Sequence, residues 1–254
     1  MGPGDETLAF DVGSSTHRST PSGFLLDAVR RRDAGRQTMS VLTTLLFVAG
    51  ASLFAWPALT DVYTNQVVQQ QLAEDFQQFE LSVGSFDEYQ AAVSGQDGVA
   101  LTKIAIPDIG VETLVVEGTS PSALRAGAGH YEETPLPGQV GNVAIAGHRT
   151  TYGRPFNRLD ELEVGDTIWL ATPVGDHEYR VIGEPASPDC RRTDRAACIT
   201  NPSDWSVVTE PEDAGASILT LTTCHPKGSA AERLIIRAEL VESYDAGTYD
   251  QQRA

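Results

Sequence analysis

The sequence predicts a mainly β domain of the barrel or sandwich type, preceded by one membrane-spanning helix and a helical stalk. Three observations carry that expectation. No side chain is charged from Thr38 to Leu59. After Gly98 short alternating runs replace helical periodicity. Turn residues then separate those runs with no long helix between them.

Taken in order, residues 1–37 read as a cytoplasmic tail. The first 23 are rich in Gly, Ser, Thr and Pro, which leaves too little apolar surface to offset chain entropy, so disorder is expected there. Residues 38–60 read as a signal-anchor helix. Val41 to Leu59 is nearly all apolar, and at ~1.5 Å per residue it spans roughly 28 Å, about one hydrocarbon core. A cleaved signal peptide is the alternative, but the long preamble and full-length apolar span argue against it. Arg30, Arg31, Arg32 and Arg36 precede the span, Asp61 follows it, and no Lys or Arg recurs until Lys103. The positive-inside bias therefore leaves the N-terminus in the cytoplasm and the body outside.

Residues 61–97 read as an extracytoplasmic stalk or linker. Val67, Leu72, Phe76, Phe79 and Val83 recur at helical spacings opposite a glutamine-rich face, which suits a spacer better than a partner-binding coiled coil. Gly95-Gln96-Asp97-Gly98 marks a boundary turn. The body covers residues 98–244, with strands expected at 100–106, 112–117, 142–146, 167–171, 178–182, 218–223 and 234–241. Short helices are expected near 122–125 and over 155–162, and residues 245–254 form a C-terminal tail. The first 60 residues balance five basic against five acidic side chains, so the whole formal charge of −17 lies beyond them. Such a surface repels phosphate backbones, which excludes nucleic acid as a partner class.

The chain has three cysteines. Outside a membrane an odd count suggests one bridge and one free thiol. Cys190 and Cys198 share a polar segment, so a loop-closing disulfide is the economical pairing, with two unpaired thiols as the alternative. No tight Cys or His pair suggests a metal site, and no cofactor motif is present.

Cys224 is left over. It ends the run Ser217-Ile218-Leu219-Thr220-Leu221-Thr222-Thr223, and Pro226 and Gly228 stop the strand just beyond it. A returning strand over 234–241 brings Arg233 opposite the thiol, where a guanidinium stabilises a thiolate and an oxyanion. A surface pairing of Arg233 with Glu232 or Glu239 is the plain alternative. Of five histidines, His17 falls in the tail, His225 adjoins the thiol and tends to point away, and His130 and His177 have plain surroundings. His148 ends the run Asn142-Val143-Ala144-Ile145-Ala146 after Gly147, a strand terminus with room for an imidazole. On position alone it stays open whether His148 is functional or structural.

Thr220-Leu221-Thr222-Thr223-Cys224 resembles the TLxTC signature of sortases. Gly147-His148-Arg149 resembles their histidine segment, and Arg233 falls where that family carries its arginine. Ala146 to Gly153, Pro155-Phe156-Asn157-Arg158-Leu159 and Cys224-His225-Pro226 are most similar to the class E sortases of actinobacteria. The resemblance covers about residues 99–241. It implies a closed barrel of eight strands and a cysteine transpeptidase that cleaves a C-terminal sorting signal of LAxTG or LPxTG type between Thr and Gly. Cys224 would form the thioacyl enzyme, His148 would act as acid and base, and Arg233 would hold the substrate and the oxyanion. The partners implied are secreted proteins bearing sorting signals and a peptidoglycan-precursor amine such as that of lipid II. Thr222, Thr223 and Tyr131 are candidates for the substrate groove. Three other readings stand beside this one: an anchored cysteine peptidase that hydrolyses its thioester, a pilin-polymerising enzyme, and a non-enzymatic surface module.

Overall fold

The computed structural model describes residues 22–211 and 213–253, with side chains from Arg36 to Gln252, apart from residue 212. Of the tail expected to be disordered, residues 1–21, with His17, lie outside the described residues, while the described part from Ser22 onward is helical. Two compact units emerge, Met1–Phe54 and Ala55–Ala254.

Helix α1 runs from Ser22 to Tyr63 and contains Pro57. It begins upstream of the expected boundary at Thr38. Leu25, Leu26, Ala28 and three arginines are good helix formers, so a helix nucleated in the apolar span propagates back through them at little cost. Side chains from Arg36 to Leu59 are all exposed, and this is a helix long and apolar enough to cross a membrane.

The expected stalk is not a free spacer. A π turn at Thr64–Val68 leads into α2 (Gln69–Ser82) and α3 (Phe86–Val93). Leu72, Phe76 and Phe79 pack on Ala100 and Leu114, and Tyr89 and Val93 pack on Leu101 and Leu136. The apolar stripe that suggested a helix has a partner in the body, so burying it there removes it from water. Ser85 caps α3 by accepting from Glu88 N.

Strands β1 (Ala100–Ile106) and β2 (Val111–Glu117) are followed by α4 (Pro121–Ala126), β3 (Ala128–His130) and β4 (Gly141–Ala146). Next come β5 (Thr167–Thr172), β6 (Gly175–Ile182), β7 (Arg191–Arg192), β8 (Cys198–Thr200), β9 (Ser217–His225), β10 (Glu232–Tyr244) and α5 (Thr248–Arg253). The order β6-β5-β1-β2-β3-β4-β9-β10 closes through a β6–β10 pairing, which makes an eight-stranded barrel with no open edge in the ring. Closure depends on the length of β10. Residues 237–244 pair with β6, while 233–235 pair with β8, which lies outside the ring with β7.

Alternation explains the core. Val143 and Ile145 of β4, Leu219 and Leu221 of β9, and Leu234, Ile236 and Ala238 of β10 fill the interior with Ile104, Ile168 and Tyr179. The expected helix over 155–162 is instead a run of turns with a 3-10 segment at Leu159–Glu161. Phe156 N is already committed to His148 O at 3.2 Å, which holds that backbone in a turn. The C-terminal tail is also docked: Tyr249 packs with Trp169 and Ala105, and its N–H donates to Asp176 Oδ2 at 2.8 Å.

Candidate active site

β4 and β9 are parallel neighbours with Ala146 paired to Thr222. Gly147 N donates to Thr222 O at 3.0 Å and extends the ladder by one step. His148 and Cys224 each lie two residues beyond that pair, so they leave the same end of the barrel with the same parity. Since Val143, Ile145, Leu219 and Leu221 point inward, His148 and Cys224 belong to the outer face. On the other side of β9, Arg233 is the direct antiparallel partner of Cys224, which puts both side chains on that face. Cys224 is a half-buried free thiol.

Gly147 makes this approach possible. A Cβ there would stand 2.5 Å from the ring of Phe156, which is fully buried beneath the histidine segment. Thr223 faces inward, and its hydroxyl donates to Gly147 O at 2.7 Å, tying the two strand ends together. Thr222 remains on the outer face, hydrogen-bonded to Tyr131 Oη at 3.0 Å. Trp205 lies edge-on to Tyr131 at 6.4 Å and is 65% exposed, so Tyr131, Trp205 and Thr222 form an apolar-polar shelf on this face.

Arg149 spans the site. It is 3% exposed, and its Nη1 donates to Cys224 O at 3.1 Å and to His225 Nδ1 at 2.9 Å, while Nη2 pairs with Asp160 Oδ2 at 3.0 Å. A guanidinium only donates, so His225 Nδ1 is the acceptor and that nitrogen is committed to Arg149. Burial, with Arg149 beside it, lowers the affinity of His225 for a proton. Burial pushes the Asp160 carboxyl up, but Arg149 and Lys227 outweigh that and hold it below its ordinary value. Asn157 Nδ2 donates to Arg149 O at 2.7 Å and fixes the segment from behind.

Two other described histidines are occupied. His130 is buried against Glu117 at 2.8 Å, with Pro135 O and Thr134 at its second nitrogen. His177 shares Nδ1 with Ser243, and burial drives it down to about 4. His148 is lowered by burial and then by the charge of Arg125, which favours the neutral ring, the form that accepts a proton. Arg233 Nη1 donates to Ala230 O and Glu232 O, both at 3.1 Å, and turns back on its own loop. Among the described residues no group of three or more His, Cys, Asp or Glu side chains is placed to hold a metal ion.

The family model for the Sortase domain matches residues 104–241, more than half of the chain and most of the ring from β1 to β10. The chain belongs to the sortase family. That makes it a cysteine transpeptidase of the cell-wall sorting type. Sortase D of Bacillus subtilis is 28% identical over 212 residues, covering 79% of this chain and 98% of that protein. Sortase SrtE1 of Streptomyces coelicolor is 31% identical over 183 residues, covering 67% of this chain and 46% of that protein. Among solved structures, a Clostridium perfringens sortase D5 transpeptidase superposes with a TM-score of 0.56 at 28% identity, covering 69% of this chain and 99% of that one. The SrtF sortase of Corynebacterium diphtheriae gives 0.52 at 35% identity, covering 59% and 88%.

Within this sortase fold, Cys190 and Cys198 form a disulfide. It closes the loop before β8, and Cys198 is the register partner of Ile235, two residues past Arg233. Reasoning from sequence missed Arg149, Tyr152 and Trp205. Arg149 stood next to His148 in plain view, but only the fold brings Asp160 and Cys224 O to it. Tyr152 lies four residues past His148, and its ring comes to 5.0 Å from the imidazole.

Proposed function

We propose that this sortase cleaves a C-terminal sorting signal between Thr and Gly with Cys224 as nucleophile, and passes the acyl group to an amine of a peptidoglycan precursor. The observation that carries the reading is the shared register of three groups: His148 and Cys224 two steps beyond one parallel pair, and Arg233 opposite Cys224. Cys224 Sγ attacks the threonine carbonyl while its proton passes to neutral His148. The tetrahedral oxyanion falls to Arg233, which must first release its loop carbonyls. Collapse breaks the Thr–Gly bond, and the proton on His148 goes to the departing glycine amine. In the second half His148 takes a proton from the attacking amine, the thioester breaks, and that proton returns to the Cys224 thiolate. No proton or electron is gained or lost over the cycle.

The shelf of Tyr131, Trp205 and Thr222 beside Cys224 suits the apolar N-terminal part of a sorting signal. Relatives named as class D, E and F sortases all resemble the chain, and we assign an LAxTG-type signal on the strength of the class E motifs. The arginines before the span and the disulfide in the body support a cytoplasmic N-terminus and an extracytoplasmic barrel. The test is to incubate the 254-residue chain in nanodiscs with LAxTG and LPxTG peptides, with and without an amine acceptor. Amide product that depends on Cys224 is expected, with LAxTG preferred. Peptide hydrolysis at a rate indifferent to any amine contradicts transfer and makes the protein a peptidase.

A further inference from the structure

The helical segment just past the membrane span grips the loops on both sides of His148. Asp61 is 7% exposed; its Oδ1 accepts from Gly153 N at 3.1 Å, and its Oδ2 pairs with Arg154 Nε at 2.6 Å. Thr64 donates to Arg125 O at 3.4 Å, and Gln69 donates to Ala126 O at 2.6 Å while accepting from Leu114 N at 2.9 Å. A π turn separates Asp61 from Gln69, and such turns set helical side chains out of their ordinary phase. Here the turn lets one helix reach two different loops.

The loop held by Asp61 needs holding. Tyr152, Gly153 and Arg154 have φ of 53°, 77° and 49°, and a left-handed tyrosine and arginine persist only where surrounding contacts over-determine them. Asp61 supplies two of those contacts. Tyr152 is the residue whose ring lies against His148, and it also lines an apolar cleft of about 490 Å³ with Trp56, Leu59, Tyr63 and Arg125. The segment from Asp61 to Gln69 therefore sets the position of both Tyr152 and Arg125, the aromatic cover of the imidazole and a charge that acts on it.

We infer that Asp61 is a positioning residue for His148: through Gly153 and Arg154 it holds the turn that keeps Tyr152 over the imidazole, so the first residues beyond the membrane span belong to the active site. The inference rests on the proposed role of His148, but its physical part can be read without turnover. The charged groups that act here are Arg154 on Asp61 and Arg125 on His148.

The experiment uses the 254-residue chain in nanodiscs, with Asp61→Ala, Asp61→Asn and the partly exposed Arg154→Ala, and with Asp250→Ala, which breaks the ion pair of α5 with Lys103 of β1, as a control. His148 is titrated by NMR of its Cε1–H, assigned with His148→Gln, and kcat and KM are measured with the sorting peptide. Asp61→Ala and Arg154→Ala are each expected to move the His148 midpoint up toward the ordinary histidine value as water reaches the ring. Each should lower kcat about 10-fold with KM within about twofold. Asp61→Asn keeps an acceptor for Gly153 and should fall between, and Asp250→Ala should change neither readout. An unchanged midpoint in both folded variants overturns the inference, as does a loss of kcat that follows melting temperature alone. If His148→Gln keeps full transfer activity, the functional reading fails while the midpoint still decides whether Asp61 positions the ring.

Discussion

The proposed nucleophile, Cys224, and the proposed base, His148, sit at the same end of the barrel, yet they are held by different means. Cys224 is the penultimate residue of β9, which has β4 on one side and β10 on the other, with register pairs running up to His225. His148 has one ladder step beneath it, Gly147 N to Thr222 O, and then turns with left-handed backbone. Its placement depends on Thr223, Phe156, Asn157, Tyr152 and Asp61 near the end of α1. A main-chain ladder fixes a residue almost regardless of side chains, whereas a loop stays only where particular side chains put it. Substitutions away from the chemistry should therefore disturb the histidine more readily than the cysteine.

The largest effects fall on the reacting groups and set the scale. Cys224→Ala should lower transfer about 10,000-fold or more, and His148→Ala about 1,000-fold, measured as kcat/KM with a sorting peptide. Next comes Arg149, which binds the carbonyl of one residue and immediately follows the other. Arg149→Met should lower kcat about 100-fold with a smaller change in KM, and Arg149→Lys should recover only part because a lysine has no planar fork for Cys224 O, His225 and Asp160 together. A loss as small as that of an exposed arginine would mean the two sides are positioned independently.

The pH profile sharpens the same contrast. Burial and Arg125 depress His148, so the acid limb of kcat/KM, where the ring gains its proton, should lie below pH 6.5. Replacing Arg125 with Gln should move that limb up, and an unchanged limb would leave burial as the whole cause. The smallest effect belongs to the disulfide, which borders the strand side. Changing Cys190 and Cys198 together to Ser should cost about 2 kcal/mol in denaturant unfolding while kcat stays within about twofold.

How much of this could be read from sequence follows the same division. Seven strands carried enough alternation to be placed within a few residues, and where two of them meet set Arg233 opposite Cys224, but the roles of Cys224, His148 and Arg233 rested on the sortase resemblance. β3 and β8 were missed because three residues show no period, although β3 joins the ring and β8 flanks the arginine. The stalk was read correctly as helical and wrongly as free, since an apolar stripe says that a face is buried but not against what. Arg149 with Cys224 O, and Asp61 with Gly153, pair residues 75 and 92 positions apart, and nothing local marks them.

The most direct test of the account is intact-mass analysis of the nanodisc-held chain with an LAxTG peptide and no amine. The account predicts one adduct equal to the peptide acyl ending at Thr, carried on the fragment containing Cys224, discharged by added amine and absent from Cys224→Ala. An adduct on any other residue, or cleavage that persists in Cys224→Ala, would contradict it.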